Sequence, residues 1–155
     1  MRAPLAERLT IAGTNCPKTM PALPQGRTTS QGMILPSDVR ALRLCRVERL
    51  LNGPQPSVKA RLVGNSRAKR MVQELDDLPV SPSGPINCPA ELGNDIVILG
   101  VAAGDRTPVV KVELDGCLTV TNGRTYRWML GGTAIARRLD DELSTLMPVP
   151  RRSLG

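Results

Sequence analysis

The sequence predicts an α+β domain in which a mainly antiparallel, disulfide-stapled sheet is covered by two helices. Apolar and alternating runs within residues 94–129 indicate an antiparallel meander, and a further strand is expected near residues 39–50. Apolar residues recur at helical spacing at about 66–78 and 133–147. Four cysteines without any Cys-x-x-Cys spacing favour disulfides over a zinc ribbon. Strands and helices grouped in this order are typical of an α+β fold.

The 155-residue chain is long enough for one domain with a sizeable core. Frequent prolines and glycines predict an irregular N-terminal arm at residues 1–36, followed by a single α+β domain at 37–147. Residues 148–155 are predicted to form a flexible basic tail. The apolar run at residues 9–13 is shorter than the roughly 7 to 15 residues of a secretion signal. We therefore expect any export signal to lie upstream or to be missing from this chain.

The first half of the domain is predicted to contain two strands followed by the first helix. Residues 39–50 alternate apolar and charged side chains, which favours a strand, although a helix is the rival interpretation. A short edge strand is expected at 58–63. Ser66 is predicted to cap the first helix and Pro79 to stop it. The apolar stripe of this helix comprises Ala68, Met71, Val72, Leu75 and Leu78.

The meander is predicted from three adjoining patterns. Residues 96–101 are apolar on both faces and indicate a central strand. A tight connection at 103–106 leads to a strand at 108–115, in which buried and charged positions alternate. Asn122 and Gly123 predict a two-residue hairpin turn, because both accept positive φ angles. The final helix follows Gly131-Gly132-Thr133 and is predicted to bury Ile135, Leu139, Leu143 and Leu146.

Composition excludes several classes of function. Histidine is absent, which removes Ser-His-Asp and Cys-His catalysis and histidine-ligated metals within this chain. One Trp, one Tyr and no Phe cannot form the stacking platforms that bind single-stranded nucleic acid. The acidic runs at 76–77 and 140–142 are interpreted as solvated helix faces. We therefore assign no catalytic residue, expect no metal or cofactor, and do not expect an enzyme.

The cysteines at 16, 45, 88 and 117 predict an oxidising compartment. Sequence alone leaves three connectivities open. Cys88 with Cys117 is favoured because a hairpin would bring their two strands together, and Cys16 with Cys45 then follows by elimination. The expected location is extracellular or in the cell envelope, and the alternative is a cytoplasmic protein with four reduced cysteines.

The net charge of +7 raises the question of a polyanionic partner. Basic residues are scattered and interleaved with acidic ones, whereas a nucleic-acid footprint clusters on one face, so nucleic acid is an unlikely partner. An anionic envelope component, such as a wall polymer or a lipid headgroup, fits the expected location better. The sequence leaves the oligomeric state open, and its longest apolar run is too short to span a membrane.

The first turn of the first helix is a candidate anion-binding site. Ser66, Arg67, Lys69 and Arg70 place basic residues where the helix already presents unpaired backbone N–H groups. This arrangement would suit a phosphate, sulfate or carboxylate. The alternative is a solvated basic turn in an arginine-rich chain.

One stretch carries a resemblance to a known family. Leu-Cys-Arg in a strand, Cys-Pro at the head of another, and Val-Glu-Leu-Asp-Gly-Cys-Leu-Thr-Val-Thr-Asn-Gly-Arg at 112–124 resemble an uncharacterised domain of secreted and membrane-anchored actinobacterial proteins. The resemblance covers about residues 16–146. It implies an extracellular setting and paired cysteines, and it carries no assigned activity.

A weaker resemblance connects Cys88-Pro89 and the hairpin returning to Cys117 with the secreted subtilisin-inhibitor family of streptomycetes. It implies that Ala90 is presented to a protease and that Glu91 follows the reactive bond. The sequence as a whole predicts a non-catalytic extracellular or cell-envelope domain that binds an unknown protein or an anionic envelope component. A serine-protease inhibitor and a binder of anionic polymers are the alternatives.

Overall fold

The structure, a computed structural model, describes residues 16–23, 32–47, 55–82, 87–102 and 107–149. Within these ranges the chain forms six strands and two helices. They are β1 Ala41–Arg46, β2 Ala60–Gly64, α1 Asn65–Asp76, β3 Asp95–Val101, β4 Val109–Glu113, β5 Thr119–Thr121, β6 Tyr126–Trp128 and α2 Ala134–Leu146.

The six strands form one sheet in the order β2-β1-β3-β4-β5-β6, and every neighbouring pair is antiparallel. This confirms the predicted α+β fold with a mainly antiparallel sheet. Every residue of β3 is buried, which confirms that its apolar sequence marks a strand covered on both faces. The strand interpretation of residues 39–50 is correct, since β1 lies between β2 and β3.

Both helices pack on the same face of the sheet and share its main core. Inward side chains of the sheet, such as Leu44, Ile98 and Val112, contact the apolar stripes of both helices in one cluster. Ile34 and Leu35, which the sequence analysis places in the N-terminal arm, are fully buried in this cluster. The residues that α1 and α2 bury include Ala68, Met71, Val72, Leu75, Ala136, Leu139, Leu143 and Leu146.

A smaller apolar cluster lies on the opposite face of the sheet. Its buried members are Cys45, Val47, Val97 and Leu99. Cys16, Met20 and Val109 pack against them and are partly buried. The opposite face is therefore covered in part by the described segment at residues 16–23, which we call the strap, and no helix among the described residues packs there.

The helix ends depart from prediction at α1 and agree with it at α2. Ser66 does not cap α1: Gly64 holds the N-cap position, with an extended backbone and no side-chain cap, and the helix stops at Asp76. No side chain caps this end, because β2 runs directly into the helix and a glycine, which has no side chain, holds the N-cap position. Thr133 caps α2, and its Oγ1 accepts a hydrogen bond of 3.1 Å from the backbone N–H of Ala136.

The two-residue turn predicted at Asn122 and Gly123 is wrong, although the hairpin itself is present. Thr121 pairs with Tyr126, so the loop has the four residues 122–125. The side-chain oxygen of Asn122 accepts hydrogen bonds from the backbone N–H groups of Arg124 and Thr125, at 2.9 and 2.8 Å. This local side-chain turn replaces the positive φ that a two-residue turn demands of Asn122.

Several predictions fall outside the described residues. They are the connection at 103–106, the chain up to residue 15, and the tail beyond residue 149. No helix in the described part of the chain has the length and apolar character needed to span a membrane.

Candidate functional site

The candidate site lies on the sheet face opposite the helices, over β4, β5 and β6. Val110 and Val112 of β4 point into the main core, so the alternate residues Lys111 and Glu113 point to the opposite face. Residues paired directly across antiparallel strands share a face. The register therefore adds Thr119, Thr121, Tyr126 and Trp128 to the same surface, which includes the only Tyr and the only Trp of the chain.

Two depressions occupy this surface, and the strap borders both. The first has a volume of about 400 Å³ and is lined by strap residues together with Lys111, Glu113, Thr119, Thr121, Gly123 and Tyr126. The second, of about 540 Å³, lies toward the hairpin and is lined largely by apolar residues such as Met33, Pro36, Pro108 and Val109. Ala22 and Leu23 line both depressions. We call the two depressions together the groove.

The charged side chains that line the groove are Lys111, Glu113 and the exposed Arg124. Lys111 Nζ lies 3.7 Å from Glu113 Oε1 on the same strand face. Burial raises the pKa of the Glu113 carboxyl above its usual range, with Glu91 and Asp95 adding to the rise, while Lys111 and a hydrogen bond from the backbone of Thr119 oppose it. The groove thus offers hydroxyl groups, one ion pair, the guanidinium of Arg124 and an apolar end, which suits a partly apolar ligand with some polar groups.

The wall of the groove next to the hairpin is fixed by a polar clamp. Asp76 Oδ1 accepts hydrogen bonds from the backbone N–H groups of Ile34 and Leu35, at 2.6 and 3.1 Å. Arg127 donates to the backbone carbonyls of Gly32 and Leu78, at 2.8 and 3.0 Å. The Asn122 amide donates to the carbonyls of Met33 and Ile34, at 3.1 and 3.3 Å. Residues 32–35 are therefore attached to both the sheet and α1.

The cysteines pair as favoured by the sequence. Cys16 is joined to Cys45 with a Cα–Cα distance of 5.6 Å, and Cys88 to Cys117 with 5.0 Å. The first bond attaches the strap to β1. The second attaches the segment before β3 to the turn after β4, and a disulfide framework of this kind is typical of proteins made in a non-reducing environment.

The predicted anion-binding residues lie together at the start of α1, and two of them already face a carboxylate. Glu142 Oε1 of α2 lies 2.9 Å from Arg67 Nε and 2.8 Å from a terminal nitrogen of Arg70. Arg70 Nε is also 3.3 Å from Glu74. The two guanidinium groups thus connect the helices, while Ser66 and Lys69 are exposed beside them.

Two further arginines, Arg46 and Arg61, also form hydrogen bonds inside the fold. The buried Arg46 donates to the side chain of Asn94 and to the backbone carbonyl of Met147, and Arg61 donates to the carbonyl of Leu146 at 3.4 Å. Both guanidinium groups therefore occupy the negative C-terminal end of α2. Burial lowers the pKa of Arg46, while Asp115 and Asp95 oppose that shift. Much of the positive charge in the described chain accordingly stabilises the fold.

The predicted inhibitor residues Ala90 and Glu91 lie on an exposed, irregular segment between Cys88 and β3. Leu92 is the most prominent apolar side chain of this segment, with 56% of its surface exposed. Gly116, at φ +65°, contacts this segment at Glu91: a Cβ added to Gly116 would lie 3.3 Å from the Cβ of Glu91. The segment is therefore supported by a disulfide at one end and by a glycine turn below.

The interpretation of the acidic runs as solvated helix faces is correct for the exposed Asp77 and Asp141 and wrong for three partly buried residues, Asp76, Asp140 and Glu142. Asp76 belongs to the clamp, and burial raises its pKa despite the two backbone hydrogen bonds and Arg127. Burial and the neighbouring Asp141 raise the pKa of Asp140. Within the described ranges no group of three His, Cys, Asp or Glu side chains is placed to hold a metal ion.

Sequence reasoning did not identify the groove. Alternation along β4 correctly placed Lys111 and Glu113 on a non-core face, and this was the available signal. The position of the strap, which turns an open sheet face into a groove, depends on a disulfide between residues 29 positions apart. No local pattern encodes that contact.

Comparison with known proteins found no matching family model, no matching curated protein and no matching solved structure.

Proposed function

We propose that this chain is a non-catalytic binding domain of an extracellular or cell-envelope protein and that its groove takes a segment of a partner protein. The observation that carries the proposal is the groove itself, formed where a disulfide-anchored strap crosses the sheet face opposite the helices. Concave surfaces that combine apolar lining with a few polar groups are the usual places for ligands. The two disulfides favour an oxidising location.

The groove favours a polypeptide over a polyanion. Lys111 lies beside Glu113, Arg46 and Arg127 are engaged inside the fold, and Arg124 is the other basic side chain among the lining residues, which is fewer than a polyanion site gathers. Prolines 21, 36 and 108 and the threonine hydroxyls at 119 and 121 instead offer apolar contacts beside hydrogen-bonding groups. These are the features of a surface that binds an extended, weakly charged segment.

Site-specific photo-crosslinking tests this proposal. A photoreactive phenylalanine analogue at Tyr126 is expected to crosslink one defined polypeptide from an envelope or culture fraction, because Tyr126 lines the groove. The matched control carries the same group at Arg138, which is exposed on α2. Ala22 lines both depressions and is itself exposed, so Ala22→Trp is expected to abolish the Tyr126 crosslink. Equal crosslinking from Tyr126 and Arg138, or persistence in the Ala22→Trp variant, would exclude the groove.

A protease inhibitor is the second candidate, and the exposed segment after Cys88 supports it. A rigid, projecting segment fits the concave cleft of a protease, and preorganisation lowers the entropic cost of binding. We expect micromolar or tighter inhibition of a subtilisin-like protease, and Ala90→Lys should transfer inhibition to a trypsin-like protease. Rapid cleavage after residue 90 without inhibition would eliminate this candidate.

A further inference from the structure

We propose that the Cys16–Cys45 disulfide is a redox latch: its reduction releases the strap from the sheet and dismantles the groove while the rest of the domain stays folded. This proposal rests on the proposed function, and it adds the redox condition under which the groove is formed. Its structural part is tested without any ligand.

The strap has few other attachments. Among the described residues no hydrogen bond joins residues 16–23 to the sheet. Their apolar contacts with the sheet cluster come from Cys16 and Met20, which are only partly buried. As far as contacts between described residues go, the eight residues 16–23 are therefore kept in place by one covalent bond and a small apolar contact. Ordering each residue has an entropic cost, so removing the covalent bond favours release.

The clamp limits how far the release extends. Residues 32–35 are attached by hydrogen bonds to Asp76, Arg127 and Asn122, and Ile34 and Leu35 are buried in the main core. None of these contacts depends on the disulfide. Reduction therefore frees residues 16–23 and leaves residues 32–35 in place.

The main core is independent of the strap as well. The helices and the inward faces of the strands form a cluster that contains neither Cys16 nor Met20. Release uncovers Val97, Leu99 and Val109 on the opposite face and removes one wall of the groove. Ligand binding by the groove is thereby confined to compartments in which the latch is oxidised.

The chemistry is an ordinary thiol–disulfide exchange with a dithiol. One thiolate attacks Sγ of Cys16, the more accessible residue because Cys45 is fully buried, and Cys45 leaves and takes up a proton. The second thiol of the reductant then displaces Cys16, which is also protonated. The dithiol is oxidised to a disulfide by two electrons, and the chain gains two thiols.

Methionine oxidation footprinting measures the release directly, because the chain contains its own reporters. Met20 lies in the strap and is partly buried, Met33 is 57% exposed, and Met71 and Met147 are fully buried. Hydrogen peroxide oxidises exposed methionines, and peptide mass spectrometry assigns each rate. After dithiothreitol treatment we expect the Met20 rate to rise to that of Met33, while Met71 and Met147 remain protected.

Pair-specific variants separate the two disulfides. Cys16→Ala with Cys45→Ala should show the fast Met20 rate without reductant. The matched control, Cys88→Ala with Cys117→Ala, should keep the slow rate until dithiothreitol is added. A slow Met20 in the first variant would overturn the latch, and so would loss of protection at Met71 and Met147 in that same variant, since the whole domain would then unfold without the Cys16–Cys45 bond.

A failure of the proposed function is distinguishable from a failure of the latch. If the Met20 footprint changes as expected but the Tyr126 crosslink is absent under oxidising conditions, the latch stands and the binding role falls. If the crosslink also forms when the protein is reduced before irradiation, the groove binds its partner without control by the latch, and the latch falls.

Discussion

Replacement of Asp76 tests whether the clamp holds residues 32–35 against the core. One carboxylate oxygen, Oδ1, accepts both backbone hydrogen bonds, at 2.6 Å from Ile34 and 3.1 Å from Leu35. Asp76→Ala removes the acceptor. Asp76→Asn retains an oxygen that can occupy the same position, so the two variants isolate the hydrogen bonds from the charge.

The expected loss follows from the two donors that Asp76→Ala leaves without partners. A fully buried donor without a partner costs about 1 to 3 kcal/mol. The Ile34 and Leu35 bonds are partly buried, so we take the low end for each and expect Asp76→Ala to lower the free energy of unfolding by about 2 to 3 kcal/mol. Asp76→Asn should cost less than about 1 kcal/mol.

The raised pKa of Asp76 adds a pH dependence. Burial is its largest cause, Asp77 adds to it, and the hydrogen bonds with Leu35 and Ile34 and the charge of Arg127 oppose it. A carboxyl whose pKa is raised on folding contributes stability that is full below the unfolded pKa and is lost as pH rises through the folded pKa. The Asn variant lacks this loss. Its stability relative to the parent should therefore increase from about pH 3 to about pH 7.

Urea unfolding of parent, Asp76→Ala and Asp76→Asn at several pH values measures both effects, with Asp77→Ala as the exposed control. The control should stay within about 0.5 kcal/mol of the parent. Equal losses in the Ala and Asn variants would refute the hydrogen-bond argument. A pH-independent difference between parent and the Asn variant would refute the argument from burial.

Three further outcomes are expected. Glu142→Gln should lower the free energy of unfolding by at most about 1 kcal/mol, because the arginine partners of Glu142 are about half exposed. The variant should also show a higher Tm in sulfate than in chloride at equal ionic strength, a difference that the parent lacks. An equal response of variant and parent would refute the pairing. Urea unfolding should show that Gly116→Ala lowers the free energy of unfolding by about 2 kcal/mol and Gly132→Ala by about 1 kcal/mol. Both glycines have positive φ, but only at Gly116 would the new Cβ meet a neighbour, Glu91. A larger loss for Gly132→Ala would contradict the packing at Glu91. Non-reducing mass spectrometry should detect no free thiol among the four cysteines, and two free thiols would contradict the framework.

The sequence predicted those features that depend on local periodicity. The stripe Ala68, Met71, Val72 and Leu75 specifies one buried face of α1, and period-two alternation in β4 specifies which residues face the core. Thr133 marks the start of α2 because a threonine hydroxyl satisfies a free backbone N–H there. These patterns relate residues a few positions apart, so they predict local structure without knowledge of the tertiary structure.

The local signals failed where a neighbouring element decided the outcome. Asn122 and Gly123 are compatible with a two-residue turn, but the pairing of Thr121 with Tyr126 fixes a four-residue loop. The anion site at the basic first turn of α1 stays a prediction, but the charge pattern did not foresee that Glu142 of α2 lies against Arg67 and Arg70. The position of Glu142 depends on helix packing, which the charge pattern of α1 does not contain.

By itself the sequence determined the fold class and the faces of the elements, because each follows from spacing along one chain segment, and it favoured one cysteine pairing among three that it left open. Only the tertiary structure decided where the strap lies and which polar groups it leaves in a groove. Cys16 reaches Cys45, and residues 32–35 reach Asp76, across separations of 29 and more than 40 residues. Contacts at such separations depend on the packing of the whole domain. This packing places the strap over side chains of β4 that the sequence pattern alone assigns to a solvent-exposed strand face.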